Sequence, residues 1–534
     1  MINNTKFKVN LLIIYLIFLL TLPFVGIILN YSPIPEADFW SIFERVYKFN
    51  QGNWAAIFDQ HNEHRPAISY LVSYYDNSYF GGNFYLNYII TTMSFLSAGF
   101  LVYVIFNDHA NKDYLNKVYF GLIICLLFFW AQRPNFIYPF HVSILWVNLF
   151  TLLSLFFFNR FIISKKNIYL YCSVLVPFLS IFSMVSGIFT FPIMTLYALA
   201  KKRKIEFLIF LILSISTCFF YFTDFAFVSN HSNFLELNLQ KFINIYFYFF
   251  GYLGSIFSFM FGKGMFGLII SIIAGHIFIL LFICKSKEIV ANKFNSKSDY
   301  LLFFMLLVLI SGFLTAIGRF EDGVMHSISG RYTTNTIFGW VVMMILYHSF
   351  FKKKFFIHDK KNNTIKFKFI LFVFLILISH NQFKAIKVDY DSHKILSRSE
   401  GLVALSLGIK TDHSNIPHLS ENNINLYLDG KLFIFKTNIF ETLSNLANKN
   451  LLNRIEKEDL SDLDIVTSKE SNYTRISFAT DNIEIDKVYF KNRNGNVIGY
   501  AISNSYFSFI KQKNKKFIGY FLTSSNDEEF FIYY

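Results

Sequence analysis

Residues 11–29 read LLIIYLIFLLTLPFVGIIL, a stretch without a charged side chain whose apolar residues fill every face of a helix rather than one stripe. Such a helix has no side left for water, so it lies against lipid or against other helices. Blocks of similar length recur along the 534 residues, separated by short Lys-rich connections. The chain is 54% hydrophobic and only 16% charged, with a mean hydropathy of +0.41, as expected of an α-helical polytopic membrane protein. Its first partner is therefore the lipid bilayer. The formal charge of +14 does not indicate nucleic acid, because the Lys and Arg side chains cluster in connections beside apolar blocks, as a positive-inside bias requires. Cys125, Cys172, Cys218 and Cys284 all fall inside apolar blocks, which leaves no disulfide framework for exposed parts. Lys6 and Lys8 precede the first block and no small-residue cleavage site follows it, so an uncleaved first span is expected.

The basic runs orient the blocks. With the N-terminus on the cytoplasmic side, the first span (about 10–30) exits and the polar segment 31–83 is an outer loop. The strongest inside marker is Lys201-Lys202-Arg203-Lys204. If 242–261 and 265–283 both spanned, Lys285, Lys287, Lys293 and Lys297 would fall outside. The stretch 242–261 is therefore read as re-entrant or interfacial, which leaves about eleven transmembrane helices within residues 1–381. Residues 382–534 then form a small extracytoplasmic α/β or β-rich domain, helical around 440–455 and stranded afterwards. Asn494-Gly495 between two alternating runs signals a hairpin, and 517–522 and 529–533 read as further strands.

Two polar clusters lie on the outer side of this topology. In the first loop, Pro35-Glu36-Ala37-Asp38-Phe39-Trp40 leads into an amphipathic helix read as lying on the membrane surface, with Glu36 and Asp38 at its start. Asp38 also fits a plain N-cap. The loop continues to His61-Asn62-Glu63-His64-Arg65, where His61, Glu63, His64 and Arg65 are candidate substrate-binding groups, the Arg65 fork suiting phosphate oxygens. No metal site is assigned. A divalent cation stays open as a cofactor, although two histidines beside Asp59 or Glu63 make a weak zinc signal. The second cluster is Gly318-Arg319-Phe320-Glu321-Asp322, then His326, then Gly330-Arg331-Tyr332. Arg319, Arg331, Arg133 and Lys263 are cations on a face where few are expected. Together they suit a polyprenyl phosphate or pyrophosphate head group, while each alone also fits helix-end snorkelling. The spans carry almost no ionisable groups, which disfavours an ion-coupled transporter.

With Glu36-Ala37-Asp38-Phe39-Trp40, the His61–Arg65 run and Gly330-Arg331-Tyr332 before a late span, the layout of residues 1 to about 380 resembles the GT-C superfamily of integral-membrane glycosyltransferases, in particular bacterial multi-span proteins of surface-polysaccharide loci. The resemblance implies transfer of a sugar from a polyprenyl-phosphate-linked donor to a cell-surface glycan or glycolipid acceptor at the outer face of the cytoplasmic membrane. It further implies that Asp38 is the catalytic base, that Glu36 assists or replaces it, and that Arg319 and Arg331 stabilise the departing lipid phosphate, with Tyr332 beside the substrate. The family often has adjacent acidic residues where Ala37 intervenes here. An O-antigen or polysaccharide polymerase or ligase, or a non-catalytic flippase or assembly subunit, remains the alternative.

Overall fold

The computed structural model describes residues 2–35, 39–109, 114–226, 238–352, 361–386, 399–404, 406–407, 409, 430, 432–436, 466–470, 473–480, 485–491, 497–504, 506, 515–522 and 531–533. The chain forms two compact units: Met1–Val25, Ile57–Ser69 and Tyr88–Ile386 make the first, and Gly26–Ala56, Tyr70–Asn87 and Lys387–Tyr534 the second.

The described part is mostly helical. In chain order the helices are α1 (Ile2–Leu29), α2 (Trp40–Asn50), α3 (Ala67–Tyr79), α4 (Tyr85–Asn107), α5 (Tyr114–Leu127), α6 (Arg133–Ile137), α7 (Val142–Ser164), α8 (Asn167–Ile181), α9 (Thr190–Ala200), α10 (Lys204–Phe222), α11 (Leu239–Leu253), α12 (Ser255–Phe261), α13 (Met265–Ala291), α14 (Asp299–Arg319), α15 (Thr333–Lys352) and α16 (Lys361–Gln382). Long apolar runs become helices because hydrocarbon offers backbone N–H and C=O groups no partner except each other. Among the described residues, seven helical runs are long and apolar enough to cross a membrane: Asn10–Leu29, Tyr85–Asn107, Asn116–Ile137, Pro139–Ser164, Lys204–Phe222, Met265–Ala291 and Asp299–Asp322. The pair α11 and α12, bent by 68°, raises this to eight if it counts as one span. The expected eleven are thus reached only in part by length and composition. Asn167–Ile181 and Val185–Ala200 are apolar but shorter, and α15 and α16 open on polar turns.

Two sets of contacts define the ends of the bundle in the first unit. At one end Arg160 bridges Asp108, the Asn159 amide donates to the Lys297 carbonyl (3.1 Å), and Lys201 Nζ reaches Asp299 Oδ2 (2.7 Å) and the carbonyls of Phe294 (2.5 Å) and Ser296 (3.3 Å). At the other end Arg65 meets the last turn of α10, and Thr334, opening α15, donates to Gln132 (2.6 Å). Helix α13 runs alongside α15, with Phe278 edge-on to Trp340 and the Tyr347 hydroxyl donating to the Leu281 carbonyl (2.8 Å). It therefore leads from the Arg65 end toward the Lys201 end. The chain accordingly leaves α10 and enters α13 at the same end, and the bent pair between them adds no net traverse. Glycines let that pair press on α13: a Cβ on Gly254 would stand 2.0 Å from the Ser271 carbonyl oxygen, and one on Gly275 2.1 Å from that of Phe250.

In the second unit, six antiparallel strands, β1 (Val466–Glu470), β2 (Tyr473–Thr480), β3 (Lys487–Lys491), β4 (Val497–Ser503), β5 (Lys515–Leu522) and β6 (Phe531–Tyr533), form one sheet in the order β1-β2-β5-β4-β3-β6. The expected hairpin is β3–β4 and the two expected later strands are β5 and β6, while the Asn494-Gly495 turn and the helix around 440–455 lie outside the described residues. The two-residue period of a strand puts Ile476, Phe478, Val488, Phe490, Ala501, Phe517 and Phe521 into one core. On the sheet, Glu400 accepts from Arg475 Nε (2.5 Å) and the Tyr520 hydroxyl (2.6 Å).

The second unit also takes in first-loop segments. The apolar side of α2, with Trp40, Ile42, Phe43, Val46 and Phe49 buried, does not lie open for a membrane surface. Phe43 packs on Phe433 at 4.6 Å between ring centroids, and Phe84 on Phe433 at 5.2 Å. The Phe433 amide donates to Asn77 Oδ1 (2.8 Å), and Gly82, at φ +73°, sits where a Cβ would be 2.5 Å from the Phe433 Cα.

Candidate functional site

The connection between α14 and α15 folds as three short 3-10 turns, Phe320–Asp322, Val324–Ile328 and Gly330–Tyr332. Gly323 (φ +87°) allows the first bend. Gly330 allows the closest approach, because a Cβ there would lie 2.9 Å from the Ala131 carbonyl and 3.1 Å from Pro134 Cδ. The connection thereby rests on the turn that carries Arg133. Asn135 Nδ2 fastens it by donating to the Arg331 carbonyl (2.9 Å) and to Thr334 Oγ1 (2.6 Å), and the turn itself is held by Gln382, which accepts from the Trp130 amide (2.8 Å).

On this base, Arg331 Nη2 lies 3.0 Å from His326 Nε2, and its guanidinium carbon is 4.9 Å from the Tyr332 ring centroid. Its Nε is buried without a hydrogen-bond partner. His326 Nδ1 is 3.2 Å from the Tyr248 hydroxyl of α11 and 3.4 Å from Asp322 Oδ2. Arg319 Nη1 stands 3.9 Å from the same carboxylate oxygen. Because a guanidinium only donates, His326 Nε2 must accept, which fixes a neutral imidazole with its proton on Nδ1. Burial, followed by the positive charge of Arg331, pushes the His326 pKa below the ordinary histidine value, with Asp322 opposing the shift.

Of the four expected phosphate-binding cations, Arg319 and Arg331 converge on Asp322 and His326, and Arg133 opens α6 beside Gly330. Lys263 lies in the Gly262–Gly264 turn, 4.5 Å from the Phe259 ring centroid. Glu36 and Asp38 lie outside the described residues. In the His61–Arg65 run, the backbones of His61 and His64 bond each other in both directions, with Asn62 at φ 49°. Three donors of Arg65 go to carbonyl oxygens, Nε to Tyr221 (2.9 Å), Nη1 to Phe58 (2.6 Å) and Nη2 to Thr223 (2.6 Å), so its fork ties the loop to the C-terminal end of α10. His64 Nδ1 accepts from the Val185 amide (3.3 Å), and His61 is edge-on to Phe140. The Glu63 carbonyl accepts from the Tyr221 hydroxyl (3.4 Å). Among the described residues no three His, Cys, Asp or Glu side chains form a metal-holding group.

Sequence reasoning placed His326 in the cluster without a role and missed Tyr248. The 322–326–331 spacing between glycines was visible. The approach of α11, which lies outside any local pattern, was not. No protein-family model matches the chain, and comparisons with curated proteins and with solved structures give no match.

Proposed function

We propose that the chain is an integral-membrane glycosyltransferase taking its sugar from a polyprenyl-phosphate donor. The observation that carries this reading is Arg331. Its permanent charge sits in a connection between two apolar helices, where its side-chain partner is an uncharged imidazole and, among the described residues, it has no carboxylate partner. Such a cation suits the phosphate of a lipid whose tail lies along the bundle.

The orientation follows from the two ends. Lys201, Lys202, Arg203, Arg160 and Lys297 mark their end as cytoplasmic by the positive-inside bias. Counting α1, α4, α5, α7 to α10 and α13 to α16 as crossings, with the bent pair re-entrant, gives about eleven. An odd count puts the first loop and the C-terminal domain on the outer side, in keeping with the packing of Phe433 on Phe43 and Phe84. In the reaction, the acceptor hydroxyl of a glycan or glycolipid attacks the anomeric carbon and gives its proton to a carboxylate, for which Asp38 is the candidate. The bond between that carbon and the phosphate oxygen breaks, and its electron pair goes to the phosphate, where Arg331 and Arg319 stabilise the charge.

The test is incubation of membranes with labelled polyprenyl-phosphate sugars and candidate acceptors. Wild type is expected to transfer the sugar, and Asp38→Asn and Arg331→Ala to lose transfer while still inserting. Absence of transfer from every donor would overturn the reading, and full activity of Asp38→Asn would remove Asp38 as the base.

A further inference from the structure

We infer that His326 and Arg331 form a proton-coupled anion site, in which a phosphate group displaces the contact between the two side chains and His326 takes up a proton as the anion binds. The inference rests on the donor-phosphate reading above and adds how that site holds its ligand. Arg331 Nη2 and His326 Nε2 are 3.0 Å apart, so the arginine's donor is occupied by a neutral acceptor that holds it in place. An anion arriving at Arg331 takes that donor for itself. The freed Nε2 then faces a negative oxygen and becomes a donor by gaining a proton from solvent, while Nδ1–H keeps Asp322 or Tyr248 as its acceptor.

The charges around His326 support this balance. Arg331 and Tyr332 come from its own connection, Asp322 from the preceding turn, Arg319 from α14, and Tyr248 from α11, with Tyr252 of the same helix against Tyr332. Helix α12 has no ionisable side chain, and His276 of α13 pairs with Tyr246 at 2.6 Å. Without a ligand, an imidazolium would join two arginines against the nearby Asp322 carboxylate. The departing lipid phosphate, a monoester that reaches the dianion once the sugar has left, or a sulfate dianion restores the balance, so binding and protonation favour each other.

The full chain in detergent is titrated calorimetrically with sulfate, a dianion throughout the range, and separately with dispersed polyprenyl phosphate, in buffers of different ionisation heat. For both ligands we expect uptake approaching one proton per anion near neutral pH, and affinity for sulfate falling by up to about tenfold per unit as pH rises. His326→Gln, checked for monodispersity, binds more weakly through Arg331, with an affinity that no longer falls as pH rises and with no histidine-linked uptake. Proton-coupled binding of polyprenyl phosphate without sulfate assigns the site to the lipid head group, and coupled binding of both assigns it to phosphate-like anions in general. Binding by wild type with no more uptake than His326→Gln overturns the coupling and leaves the donor-phosphate reading standing. Failure of wild type to bind either ligand overturns both.

Discussion

Replacing Lys201 by Met should be among the most damaging single changes in the helical unit. Its ammonium pairs with Asp299, whose side chain is 0% exposed, and the Lys201 side chain is itself 13% exposed. The ammonium also serves the carbonyls of Phe294 and Ser296, while Asp299 Oδ1 has no hydrogen-bond partner. Removing the lysine strands a buried carboxylate and two carbonyl oxygens, and loss of one partner of such a pair costs about 3–5 kcal/mol. Asp299→Asn in the same chain removes the stranded charge and should recover at least about half of that loss. Unfolding of the detergent-solubilised chain, followed by heat and by denaturant, should rank Lys201→Met below Lys201→Met/Asp299→Asn, and both below wild type. A double variant no more stable than Lys201→Met, or a wild-type-like Lys201→Met, would refute the claim that this pair holds the two connections together.

Burial lifts the Asp76 carboxyl from 3.8 to about 6, even though it accepts from the amides of Phe84 (2.8 Å) and Leu86 (2.7 Å). A raised folded-state value means that the proton is held more tightly in the folded than in the unfolded chain. Its contribution is therefore full below about pH 4 and is lost as pH rises through 6, about 3 kcal/mol in all. The stability of wild type relative to Asp76→Asn should fall across that window, and parallel pH curves would count against the buried carboxyl. Arg65→Lys replaces a three-pronged fork by a single point charge and should cost about 2 kcal/mol or more in unfolding measurements. In the proposed transfer reaction the donor KM should not change, whereas a raised KM with unchanged stability would support Arg65 as a substrate-binding group.

The apolar blocks and basic runs reveal the membrane class because solvation acts residue by residue, and strand alternation reveals β3 to β5 for the same reason. Partner identity is less legible. The periodicity of α2 is plain from Phe39, Ile42, Phe43, Val46 and Tyr47, but nothing local says that Phe433 rather than lipid covers Phe43. Arg65 likewise reads as a free fork until α10, 156 residues away, brings its carbonyls. The same holds at the site, where the pattern around His326 is local but the hydroxyl of Tyr248 comes from a helix 78 residues earlier.

The docking of Phe433 on the first loop has a consequence in time. Asn77 and the Phe433 amide that it binds are 356 residues apart. At about 5–20 residues per second, a ribosome needs roughly 20–70 s to make the second after the first. For that interval Phe43 and Phe84 lack one of their aromatic partners, and an amphipathic helix such as α2 has a bilayer surface within reach to shelter its apolar side. The C-terminal part of the chain therefore closes a core that the nascent chain began to lay down at its start, and a message truncated before residue 433 would leave that core open.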